Sequence, residues 1–122
     1  MASSSRNAMI LALLLGILLQ VAMVVIGHYT VAVASLFAPL GMAISLIAGF
    51  LYARWARAPR RDSVIGGAIV GGVCALIGIV VSYMLGDITA WIIFLGTLSS
   101  AFTGAVGGLI GEVVGGRAPA GA

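Results

Sequence analysis

Four stretches of the chain, residues 9–27, 31–53, 64–85 and 88–114, are almost continuously apolar. Each can cross the hydrocarbon core of a bilayer as a helix, which takes about 20 mostly apolar residues. Strands of a membrane barrel would instead alternate apolar and polar positions over about ten residues, and the run 9–27 does not alternate. The pattern therefore predicts an all-α polytopic membrane fold. It is one domain over 1–122, with four transmembrane helices in two hairpins. The breaks between spans are short: His28-Tyr29-Thr30, the loop 54–63, and Gly86-Asp87. The Ser-rich head 1–7 and the tail 115–122, of Gly, Ala and Pro with one arginine, lie outside the spans and are expected to fray.

The basic residues give this pattern an orientation. Arg6 precedes the first span. Arg54, Arg57, Arg60 and Arg61 crowd the central loop, and Arg117 follows the fourth span. The other two breaks carry no Arg or Lys. The positive-inside rule then places both termini and the central loop in the cytoplasm, an N-in/C-in topology. Trp55 falls at the cytoplasmic boundary and Tyr29 and Trp91 near the outer one, with Tyr52 and Tyr83 fitting the same belts. Ala32-Val33-Ala34 resembles a cleavage site. The apolar stretch ahead of it exceeds the usual ~7–15 residues of a signal peptide, so the first span is expected to remain as a helix.

Composition excludes the competing classes. The chain is 62% hydrophobic and 7% charged, whereas a soluble domain carries about 25% charged residues. A water-soluble globule would lack the polar surface it needs, and disorder requires the opposite composition. A net charge of +3, spread along the chain, is too weak for nucleic acid. The one cysteine, Cys74, cannot form an internal disulfide. Arginine without lysine, together with abundant Ala and Gly, suggests a GC-rich bacterial genome and hence a bacterial inner membrane.

Small residues recur at four-residue spacing, which puts them on one helical face. In the fourth span Gly96, Ser100, Gly104 and Gly108 form one column, and Ser99, Thr103, Gly107, Gly111 and Gly115 the next. The third span answers with Ser63, Gly67, Gly71 and Ala75, and on another side with Cys74, Gly78, Ser82 and Gly86. Lipid supplies no hydrophobic drive for helix association, so close backbone approach along such columns must supply it. The columns serve either packing of the third span on the fourth or contact with a second copy or another membrane subunit.

A polar path is the alternative use of the same helices. Gln20 lies at mid-depth in the first span, and Thr97, Ser99, Ser100 and Thr103 lie near the middle of the fourth. Ser and Thr can also bond back to their own helix, with Gln20 bridging to a neighbour, as ordinary membrane glue. Pro39 is expected to kink the second span. Asp87 reads as the N-cap of the fourth helix. Asp62 reads as a solvated loop residue, and His28 as a surface histidine. Glu112 falls at the cytoplasmic interface, within reach of Arg117 or an arginine of the central loop.

In length and number of spans alone the chain is similar to the small multidrug transporters and to the fluoride channels, and its residues assign it to neither. The first resemblance implies a glutamate embedded in the first helix, and here that helix has no carboxylate. The second implies a polar asparagine in the pore, and the one Asn is Asn7, outside the spans. No nucleophile and base share a compartment, no paired metal ligands occur, and no glycine loop follows a strand. The expectation is a non-enzymatic membrane protein with no catalytic residues, metal or cofactor. It would act as a self-associating or accessory packing subunit, or alternatively as a small oligomeric channel or transporter for a small solute.

Overall fold

The computed structural model describes residues 2–115, which are helical with no strand among them. The elements are α1 (Ala2–Tyr29), α2 (Val31–Ala34), α3 (Phe37–Ala56), α4 (Arg60–Met84) and α5 (Trp91–Gly115). The four long helices are each long and apolar enough to cross a membrane.

Several boundaries differ from the sequence expectation. Helix α1 already starts at Ala2 and continues through Tyr29, so the Ser-rich head and most of the first break are helical and not frayed. The other differences have local reasons. The second span does not run unbroken from 31. A single helical turn, α2, ends at Ser35, and α3 starts afresh at Phe37. Pro39 is therefore the third residue of α3 and not a mid-helix kink. In the first turn a missing amide breaks no bond, because those N–H groups have no partner inside the helix. The fourth helix begins at Trp91 rather than at 88, so Asp87 is not its N-cap. Gly86, at φ +82°, turns the chain, and Asp87 sits outside any helix.

The loop 54–63 contracts to Arg57-Ala58-Pro59. Arg57 takes the left-handed conformation, φ 52°, and its N–H closes α3 by donating to the Ala53 carbonyl at 3.0 Å. The proline after Ala58 disfavours helical geometry there, and α4 then starts at Arg60. Arg60, Arg61 and Asp62 thus belong to the first turn of α4, where the Asp62 carboxylate meets the positive end of the helix dipole.

Helices α3 and α4 touch every other long helix, and α1 and α5 each pack on that pair. The interior consists mainly of small side chains: Ala8, Ala12, Ala48, Ala56, Val70 and Cys74 are buried, with Tyr52 and Gln20 the large exceptions. Large side chains point out, with Phe94 74% and Phe102 71% exposed on α5 and Leu14 and Leu18 exposed on α1. This inverts the pattern of a water-soluble bundle and suits a hydrocarbon surround. Tyr52 does not join an interfacial belt. It is buried, and its ring occupies the space that a side chain at Gly66 would fill.

Candidate functional site

Consider first where the small-residue columns lie. A Cβ placed on Gly104 would fall on the Gly67 carbonyl oxygen, and one on Gly67 would fall on that of Gly104. At Gly71 a Cβ would lie 2.7 Å from the Ser100 carbonyl oxygen, and at Gly108 it would strike that of Ser63. The second column of α5 meets α3 instead: Gly107 abuts the Leu46 carbonyl, and a Cβ on Gly111 would lie 2.6 Å from that of Phe50. Helix α5 therefore seats its first column mainly on α4 and its second on α3 of the same chain, with the Gly104 carbonyl also against Gly49 of α3. At the other end of α5, Gly96 meets only the flexible tip of Ile79, 2.6 Å from where its Cβ would be.

Toward the end of the bundle that holds His28, the backbones separate and leave a cavity of about 250 Å³. Helix α1 contributes Gln20 and Met23 to its wall. The start of α3 contributes Phe37, Ala38, Gly41 and Met42. Ile79 of α4 and Ile92, Leu95, Gly96, Ser99 and Ser100 of α5 complete the lining. None of these side chains is charged. Of the residues grouped as a polar path, Gln20, Ser99 and Ser100 meet at this cavity, while Thr97 and Thr103 do not line it. The Thr103 hydroxyl is turned back on its own helix, 3.0 Å from the Ser100 carbonyl and 3.2 Å from that of Ser99. Thr97 Oγ1 and Ser82 Oγ are buried with no hydrogen-bond partner among the described residues.

Gln20 is the largest fully buried side chain, 1% exposed. Its Nε2 donates to the Gly41 carbonyl at 3.1 Å and to Ser45 Oγ at 3.3 Å, with Cys74 Sγ at 4.0 Å. Ser45 Oγ in turn donates to the Gly71 carbonyl at 3.1 Å, as does the Cys74 thiol at 3.4 Å. One side chain thus ties α1 to α3, and through Ser45 to α4.

The charged groups collect at the two ends. Arg54, Arg57, Arg60 and Arg61 lie together at one end, while Arg117 lies outside the described residues. Arg60 Nε donates to Glu112 Oε2 at 3.2 Å, so the first residue of α4 anchors the last turns of α5. Arg54 sits over the Phe50 ring, 5.8 Å from its centroid, and against Gly115. At the other end His28 Nδ1 and Asp87 Oδ2 are 3.0 Å apart and join the end of α1 to the turn before α5. Among the described residues no three His, Cys, Asp or Glu side chains gather into a metal-binding group.

Two further columns escaped the sequence reading. Gly41, Ser45, Gly49 and Ala53 form the buried face of α3, and Ala8, Ala12, Gly16, Gln20 and Val24 that of α1. Both show the same four-residue spacing, and on α1 the first two positions are alanine rather than glycine. No protein-family model matches the chain, and no curated protein or solved structure shows significant similarity to it.

Proposed function

We propose that this chain is a non-enzymatic protein of the bacterial inner membrane, made of two hairpins with both termini cytoplasmic, that binds and carries a small neutral solute. The cavity between the four helices is the observation that carries this reading. It holds an amide and two serines in an otherwise apolar wall, the usual make-up of a small-molecule site. An apolar cavity of about 150 Å³ is enough for benzene, so 250 Å³ admits a compact organic molecule. A bare ion would find no charged partner in the wall, and its desolvation would go uncompensated.

The route is closed at the opposite half of the bundle, where Gly104 meets Gly67 and Gly108 meets Ser63. This geometry fits a carrier with one side open better than a continuous pore. Uptake of small neutral solutes into proteoliposomes tests the reading. The expected result is exchange faster than in protein-free vesicles, abolished by Ala38→Trp, which fills the cavity from the start of α3. If no neutral solute of this size exceeds the protein-free rate, the solute reading fails.

The remaining reading is an accessory packing subunit. The glycine columns favour it less than their spacing suggests, because they are seated on helices of the same chain. A homo-oligomer or a foreign subunit would have to use the outer faces of the helices, which carry large apolar side chains on α3 and α4 as well as on α1 and α5. Native mass spectrometry in mild detergent reports on that directly.

A further inference from the structure

We infer that the cavity selects molecules that donate a hydrogen bond, an N–H or O–H on a small neutral apolar body, and that the acceptor is Gln20 Oε1. This rests on the solute-binding reading above and specifies its ligand class. The surroundings of Gln20 permit one orientation of its amide. The Gly41 carbonyl can only accept. The Ser45 hydroxyl gives its one proton to the Gly71 carbonyl, so toward Gln20 it too must accept. Cys74 Sγ likewise directs its proton to Gly71. Every neighbour of the amide on that side demands a donor, and Nε2 supplies it.

Oε1 is therefore turned the other way, and among the described residues nothing donates to it. It lies between α3 and α4, 3.6 Å from where a Cβ on Gly41 would stand and 3.5 Å from one on Gly78. A carbonyl oxygen that no protein group donates to is costly in an apolar wall. A bound N–H or O–H relieves that cost, and a ligand that can only accept does not. The hydroxyls of Ser99 and Ser100 can rotate to suit either kind of group, so they do not discriminate. The locked amide does. Met23 and Met42 line the same cavity with adaptable thioether chains, which tolerate variation in the apolar body.

The test compares indole with indene, which have nearly the same shape and differ in the N–H. Calorimetry on the purified full chain in detergent measures both affinities. Indole is expected to bind about three- to tenfold more tightly, the range a neutral hydrogen bond supplies. In Gln20→Met the preference is expected to fall to about one, with indene affinity retained. Equal affinities in the unmodified protein would overturn the inference while leaving the solute reading standing. Absence of binding by either compound would also overturn it, and proteoliposome uptake would then judge the solute reading separately. The unmodified protein decides the matter even if Gln20→Met fails to fold.

Discussion

Gly104 and Gly67 are reciprocal. Each occupies the position where a side chain on the other would need to be, and the carbonyl oxygen of each lies where the partner's Cβ would stand. A methyl group on either one must push two backbones apart, since neither obstacle is a movable side-chain tip. Overpacking of this kind costs about 1–3 kcal/mol. Gly104→Ala is expected to lower stability by that amount in a detergent-mixture unfolding titration, and Gly104→Leu by more. Gly41→Ala is the contrast, because its Cβ would meet only ordinary contacts at 3.6 and 3.7 Å. It is expected to be neutral, or stabilising by up to about 1 kcal/mol through helix propensity. A Gly104→Ala protein as stable as the parent would contradict the α4–α5 seam.

Glu112 is 4% exposed, whereas the side chain of its partner Arg60 is 59% exposed. Solvent around the guanidinium weakens the attraction, but the carboxylate has left water and needs its donors. Arg60→Ala is expected to cost about 1–2 kcal/mol, less than the ~1.5–3 kcal/mol of an unscreened hydrogen bond to a charged group because the guanidinium is solvated. The loss stays partial because Glu112 retains another interaction. Glu112→Gln should cost less, since a neutral amide is cheaper to bury. Combining the two changes should cost no more than Arg60→Ala alone. Full additivity in that double-mutant cycle would show that the pair is not coupled.

Spans were legible in the sequence because lipid allows few alternatives: long apolar runs and clustered arginines carry most of the information. The column on α5 was legible because glycine at four-residue spacing is rare by chance. The matching face of α1 was hidden, since Ala8 and Ala12 look like ordinary apolar filler among leucines. Helix ends were less legible. Where α3 starts depends on whether Pro39 falls in a first turn or in mid-helix, and an apolar run reads the same either way. The pairing of His28 with Asp87 joins residues 59 apart, a closeness that comes only from the packed bundle. The cavity was invisible in sequence for a similar reason. It exists because the backbones that touch at Gly104 diverge toward Gly96, where Ile79 replaces a backbone neighbour.

Orientation can be checked with single thiols, because the one native cysteine, Cys74, is buried and slow to react. In a Cys74→Ala background, Thr30→Cys is expected to react with a membrane-impermeant maleimide in intact spheroplasts. Arg57→Cys is expected to react only after lysis. The reverse pattern would place the arginine-rich end outside and contradict the N-in/C-in topology.

Gln20 invites a simpler explanation than ligand binding, namely that it glues α1 to α3 and α4. Magnitudes separate the two. Hydrogen bonds between helices in a membrane average about 0.6 kcal/mol, because the unpacked helix also finds partners. Two such bonds are made by Nε2. Gln20→Met keeps most of the volume and loses both, so it is expected to cost about 1 kcal/mol, leaving the protein folded. Gln20→Ala loses the same bonds and also opens space, which should add a cavity term and bring the cost to about 2–3 kcal/mol. Unfolding titrations of both variants check this ordering. A Gln20→Met loss as large as that of Gln20→Ala would mean that the amide's bonds, rather than its volume, hold the helices together, and the free Oε1 would then be a by-product of a structural clamp.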